Sequence, residues 1–232
     1  LSAHLFDLLP VPVVPVTGTD AVYPVGRIFC VGRNYEAHAK EMGVEADREA
    51  PFYFTKTPSA ACGNNQTVPY PPGTKEYHHE MELVVALGAD VFRANAQQAA
   101  AAIFGYGCGL DMTRRDLQQA GKDKRRPWDL GKDVENAAVF APLTPAAEVG
   151  EIGPQRIHMS INGDIRQDAH LSDLIHSVIE VIVDLSKYYH LRQGDLIMTG
   201  TPAGVGPVSP GDLIEGGIDG LVSIVHRIGE PE

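Results

Sequence analysis

Two carboxylates set two residues apart, at the head of a run of apolar β-formers, constrain this chain more than any other feature. The segment reads His78-His79-Glu80-Met81-Glu82, and Leu83-Val84-Val85-Ala86-Leu87 follows it. That run predicts a strand over 78–87. On a strand, residues i and i+2 share a face, so Glu80 and Glu82 point the same way. Alone, a Glu-x-Glu pair is ordinarily a solvated face. Here imidazoles precede it, a fully apolar run follows it, and a third acid, Asp111, ends the glycine-rich stretch Gly107-Cys108-Gly109-Leu110-Asp111. Carboxylates aimed at one point repel each other and are costly to bury unless a cation joins them. Three hard oxygen donors suit Mg2+, Mn2+ or Ca2+ better than zinc or copper. Glu80, Glu82 and Asp111 are therefore the expected metal ligands.

The chain has 232 residues, enough for one large domain with a small extension. Its formal net charge of -11 speaks against nucleic acid as a partner. No apolar stretch is long enough to span a bilayer, so no membrane partner is expected. The segment Leu1 to Asp7 lacks a basic stretch followed by an apolar one and does not read as a signal peptide. Cys30, Cys62 and Cys108 form no Cys-x-x-Cys pair. Small buried thiols in a cytoplasmic protein are the expectation.

Residues 1–24 are rich in Pro and Val and read as a short extension or small subdomain; residues 25–232 read as the main domain. Arg27 to Gly32 and Pro51 to Lys56 read as strands. Tyr35 to Met42 reads as a helix with Asn34 as its N-cap and Gly43 as its stop. Val68 to Thr74 reads as a connector, and Ala94 to Phe104 as a helix ending at Gly105. Arg114 to Asp133 is polar and locally basic, a solvated loop or a face for an anionic ligand. Ile157 to Arg166 carries the Asn162-Gly163 hairpin signal. The apolar spacing predicts a helix from about Leu171 to Tyr189. Short strands close the chain. Many strands, few helices and no strict βαβ alternation predict an α+β fold with mixed sheets.

The glycine-rich run Gly200-Thr201-Pro202-Ala203-Gly204-Val205-Gly206 lacks the Gly-Lys-Ser/Thr ending of a phosphate loop and the spacing of a dinucleotide turn. No Gly-x-Ser-x-Gly elbow exists. Nucleotide enzymes and serine hydrolases are thereby unsupported.

Five blocks taken together resemble the fumarylacetoacetate hydrolase superfamily. They are Val31-Gly32-Arg33-Asn34-Tyr35 with His38, Phe54-Thr55-Lys56-Thr57-Pro58-Ser59, the Glu80-Met81-Glu82 segment, Gly109-Leu110-Asp111-Met112-Thr113-Arg114-Arg115-Asp116-Leu117-Gln118, and Gly200 to Gly206. The resemblance runs from about Arg27 to Ile228 and looks strongest toward the acylpyruvase and fumarylpyruvate hydrolase branch. It implies a mixed β-roll, a homodimer, and Mg2+ or Mn2+ on Glu80, Glu82 and Asp111. It implies that His38 and Glu41 form a catalytic dyad on a short helical lid, a role their three-residue spacing permits. It places substrate or oxyanion contacts on Arg115, Gln118, Lys132 and Thr201.

The chemistry so implied is hydrolysis of a carbon–carbon bond in a β-diketo acid of aromatic-compound catabolism. The substrate is a small anionic 2-oxo acid, fumarylpyruvate first, giving fumarate and pyruvate. Oxaloacetate decarboxylation and isomerisation or tautomerisation of a hydroxymuconate-type diacid use the same enolate-stabilising metal and remain open. So does a catalytically silent metal- or ligand-binding role.

Overall fold

A computed structural model of the chain describes residues 5–41 and 50–231. Its centre is an eight-stranded sheet. In spatial order the strands are Phe52–Lys56, Ile28–Gly32, Leu196–Met198, Met81–Leu87, Ile103–Asp111, Ala138–Phe140 and Ala61–Gly63, with Thr144–Pro145 pairing Ile103–Asp111 off this path. A five-stranded sheet runs Asp164–His170, Arg156–Ile161, Leu213–Ile218, Ile224–Pro231, Gln66–Tyr70. Parallel and antiparallel pairings occur in both. The α+β class and the mixed, curled sheet expected from the sequence are what the chain adopts.

The strand Met81–Leu87 is buried along its whole length. Met81, Leu83, Val85 and Leu87 belong to the larger apolar cluster, and Val84 and Ala86 to the smaller one on the other face. Each fully buried Leu, Val or Met side chain contributes about 1.5–3 kcal/mol. A slip of one residue would carry Glu82 into the larger cluster, so the register is tightly specified. The adjoining strand Ile103–Asp111 explains its own glycines. A Cβ on Gly109 would stand 2.5 Å from Val84 Cγ2. The glycine side of that strand takes close packing, and the alternation brings Asp111 to the same side. All three cysteines are buried and free.

Several local expectations are corrected. The expected strand over 78–87 is two strands, Tyr77–His79 and Met81–Leu87, broken at Glu80. The helix expected over 94–104 is Ala96–Ala101, after which Ile103, Phe104 and Tyr106 enter a strand that passes through Gly105. The expected connector begins as the edge strand Gln66–Tyr70, a place where Pro69 is tolerated. The polar stretch after Arg114 holds two helices, Arg115–Asp123 and Asp129–Lys132.

The long helix expected from Leu171 starts late. Leu171–Asp173 is a 3-10 turn, and the α-helix is Val178–Leu185, capped by Ser177 with Glu180. Asn34 is the reason. Its backbone carbonyl accepts from Ile175 N–H at 2.8 Å, and its side-chain oxygen from His176 N–H at 2.8 Å. Its amide donates to the carbonyls of His176 and Thr199. Asn34 is thus a tertiary brace, not the cap of the helix Glu36–Glu41, which begins two residues later. Met42 and Gly43, expected to close that helix, lie outside the described residues. The hairpin at Asn162-Gly163 forms with φ of 52° and 87°, as that dipeptide favours.

Candidate active site

The break at Glu80 is where the site is built. Asp111 N–H donates to the Glu80 carbonyl at 2.9 Å, and Glu82 pairs with Gly109. Ligand oxygens of Glu80, Glu82 and Asp111 lie within 4.8 Å of one another, and all three residues are buried. The sheet therefore brings together the carboxylates that the sequence singled out, with Glu80 contributing from a strand junction.

Three cations answer them. Lys132 Nζ lies 2.6 Å from Glu80 Oε2, 2.6 Å from Asp111 Oδ2 and 2.7 Å from Thr113 Oγ1. Arg115 donates to Glu80 Oε1 and, at 2.6 Å, to Gln118 Oε1. Lys56 Nζ stands 2.8 Å from Asp111 Oδ1. Its three hydrogens point elsewhere, to the carbonyls of Met112, Lys132 and Ala137. Among the described residues Asp111 Oδ1 consequently has a charge beside it but no hydrogen-bond donor. Lys56 is a site residue to which the sequence reading gave no role, although it lies in a block that carries the resemblance. Its signal was a lysine closing a strand that opens on three aromatic residues.

The electrostatics divide the two glutamates. Burial raises Glu80's affinity for a proton, but Lys132, Arg115 and His38 outweigh it and hold the carboxyl below its usual range. Burial, then Asp111 and Glu80, push Glu82 well above that range, against the Gly200 N–H that donates to it at 2.7 Å. Burial also opposes the Lys132 charge, yet Asp111 and Glu80 raise its pKa. A buried triad of oxygen donors, with one oxygen lacking a hydrogen-bond donor and one carboxyl short of positive charge, fits a hard divalent cation.

The remaining expected residues line the same cleft: His38, Arg115, Gln118, Lys132 and Thr201. Thr201 Oγ1 donates to the Met81 carbonyl at 2.8 Å and accepts from Gln167, which also receives Met81 N–H. Gln118 packs on Gly131, where a Cβ would come within 2.7 Å of its backbone nitrogen. That contact seats the helix carrying Gln118 against the helix carrying Lys132. His38 is 6% exposed, and its Nδ1 lies 3.3 Å from Glu41 Oε2. An ionised carboxylate only accepts, so Nδ1 is the donor and Nε2 carries the lone pair. Burial lowers the His38 pKa, opposed by Glu80 and Glu41. Glu41 is in turn held by Gly204 N–H at 3.1 and 3.2 Å. It lines no part of the cleft itself.

An oxygen triad for a divalent cation on a curled mixed sheet, with a buried histidine and a cationic wall in one cleft, defines the site of a metal-dependent enzyme. The chain belongs to the fumarylacetoacetate hydrolase family: the model for the fumarylacetoacetate (FAA) hydrolase C-terminal domain matches residues 27–229. It is 47% identical over 193 residues to a fumarylpyruvate hydrolase from a Ralstonia species, spanning 82% of this chain and all of that one. It is 39% identical over 199 residues to an oxaloacetate tautomerase from Escherichia coli, spanning 85% of this chain and 90% of that one. The crystal structure of fumarylpyruvate hydrolase from Pseudomonas aeruginosa with Mn2+ and pyruvate superposes with a TM-score of 0.95 at 41% identity, covering 98% of this chain and all of that one.

Proposed function

We propose that this enzyme hydrolyses acylpyruvates, with fumarylpyruvate as the leading substrate, to a carboxylic acid and pyruvate. The observation that carries the reading is the meeting, in one cleft, of the carboxylate triad with a buried histidine whose lone pair is free to take a proton. A divalent cation on Glu80, Glu82 and Asp111, Mg2+ or Mn2+ in preference to Ca2+, supplies Lewis-acid stabilisation of the enolate charge that develops.

His38 Nε2 takes a proton from water, and Glu41 accepts the Nδ1 hydrogen and steadies the imidazolium. Hydroxide adds to the acyl carbonyl. Gln118 donates to the oxyanion, its amide hydrogens available because its oxygen is taken by Arg115, and Lys132, whose hydrogens are engaged by Glu80, Asp111 and Thr113, stabilises it by its charge. Collapse breaks the carbon–carbon bond, giving the acid and the enolate of pyruvate, and the proton held on His38 balances the one the enolate carbon gains. Arg115 and Thr201 position the 2-oxo acid end. The triad is matched by three cations, so a bound divalent ion leaves the cleft positive, which suits an anionic substrate. A cytoplasmic homodimer acting in aromatic-compound catabolism completes the proposal. Among the described residues no helix is long and apolar enough to cross a membrane.

The test is turnover of fumarylpyruvate by chelator-stripped protein, with and without Mg2+, scoring fumarate and pyruvate together. Metal-dependent release of both is expected. Their absence from a metal-loaded protein would reject this substrate. The 39% identity to an oxaloacetate tautomerase favours one second reading, proton transfer on oxaloacetate through the same enolate. That reading needs no water attack, and enol–keto exchange without carbon–carbon cleavage would select it.

A further inference from the structure

Arg33 and Lys122 line the same cleft, yet the reaction as derived gives them nothing to do. Both are half-buried, and neither pairs with a carboxylate among the described residues. Lys122 lies on the helix Arg115–Asp123, its ammonium 5.0 Å from the centre of the Trp128 ring. The Arg33 guanidinium carbon lies 5.5 Å from the centre of the Phe52 ring. Phe52 and Trp128 meet edge to face at 5.5 Å, so the two cations bracket one aromatic pair.

Arg33 holds φ at 58°, a left-handed conformation uncommon for a residue other than glycine. A position selected only for that turn would favour Gly or Asn; a long cation there points to use of the side chain. Burial, with the like charges of Arg115 and Arg33, pushes the Lys122 ammonium down to about 8 against the pull of Glu80. Half-buried cations that repel one another form a site an anion relieves.

The arrangement also has a direction. Trp128 lies 5.9 Å from Phe54, and the Phe54 ring carries the Lys132 ammonium at 4.9 Å. An aromatic wall thus runs from Lys132, at the carboxylates, to Lys122 and Arg33. A flat unsaturated chain packs well along such a wall.

We propose that Arg33 and Lys122 form an anion subsite for the far carboxylate of a dicarboxylic substrate, with Phe52, Phe54 and Trp128 as the wall for its unsaturated acyl chain. The subsite rests on the acylpyruvate reading above and names the substrate class within it: acyl groups that end in a carboxylate. Arg33 supplies a planar fork of donors and Lys122 a point charge.

The experiment compares kcat/KM for fumarylpyruvate and for acetylpyruvate, which has the same scissile bond but a methyl group for a tail. The metal-loaded wild type, Arg33→Gln, Lys122→Gln and Lys122→Arg are measured. The ratio of the two kcat/KM values is expected to fall about 10- to 100-fold in each Gln variant, the size of a lost charge-assisted hydrogen bond. Lys122→Arg should restore most of it. An unchanged ratio overturns the subsite, even where both rates fall together. If the wild type cleaves neither compound, the hydrolase reading falls, and the subsite is judged by calorimetric titration with fumarate. Wild-type affinity at least tenfold above that of Lys122→Gln upholds it. A smaller difference, or no binding by the wild type, overturns it.

Discussion

The carboxylate floor and the short helix that carries His38 are held by different means. Glu82 and Asp111 sit on paired strands whose register is fixed by apolar burial on both faces. Their counter-cations are as buried as they are: the side chains of Lys56, Lys132 and Asp111 are 0%, 4% and 1% exposed. The helix Glu36–Glu41 has six residues, well short of the roughly 12–15 at which an isolated helix becomes stable. Its internal ion pair, Glu36 with Lys40, is largely exposed and contributes little. What holds the helix is the neighbouring Asn34 brace and the contact of Glu41 with Gly204. The proposed metal ligands are thus built into the core, while the proposed base is delivered by a local element. Changes to the floor should cost fold and metal together; changes to the helix should cost rate alone.

The largest expected effect follows from the floor. Asp111→Ala leaves Lys56 and Lys132 buried without their shared partner. Breaking a buried ion pair on one side costs about 3–5 kcal/mol. Urea denaturation of the metal-free protein should show that loss, and calorimetry should show divalent-cation binding abolished. A variant of wild-type stability would mean that the floor is no more integral than the helix.

His38→Ala should behave in the opposite way. General-base help contributes roughly 10²–10⁴-fold, so kcat should fall by about that factor. The affinity for Mg2+ and the urea midpoint should stay near wild type. Loss of metal binding in this variant would erase the distinction between the two regions.

The same contrast explains what the sequence made legible. The triad was readable because strand alternation and apolar flanks are local properties of Glu80, Glu82 and the Gly107 to Asp111 stretch. The break at Glu80 was not, because it depends on Asp111 N–H bonding the Glu80 carbonyl from a distant strand. The late start of the helix at Val178 was hidden for the same reason: Asn34 engages residues 175 and 176 from far along the chain. Lys56 stood in a resemblance block without a role, and Gln167 went unremarked, because a single buried polar residue has no periodic signature. His38 and Glu41 entered through family resemblance, and their spacing added only that one helix face is possible.

Two buried histidines sharpen the comparison further. His226, on the strand Ile224–Pro231, has no hydrogen-bond partner for either ring nitrogen among the described residues, and burial pushes its pKa down to about 4. The unfolded chain takes up that proton near pH 6.5 and the native state does not. Stability from the neutral ring is therefore complete above pH 6.5 and is lost as pH falls from there toward 4, by about 3 kcal/mol at most. His226→Phe should flatten the stability profile over that window. The pH dependence of kcat should be unmoved, because His226 lies outside the cleft. A shifted rate profile would show that the sheet and the site titrate as one unit.

The smallest expected effect isolates Glu41. Burial lowers the His38 pKa, while Glu80 and Glu41 pull it up. The acid limb of kcat in the wild type is therefore expected below the ordinary histidine value of about 6.5. Glu41→Gln removes one of the upward pulls, so the His38 pKa drops and the acid limb moves to lower pH. The shift should be less than about one unit, since one hydrogen bond at a half-exposed carboxylate is worth about 1 kcal/mol. Metal affinity should not change, because Glu41 touches none of the triad. A full profile of kcat against pH between 4 and 8 reads the outcome. A limb that moves to higher pH, or not at all, would mean that Glu41 does not act through His38 and serves only to fasten the helix to Gly204.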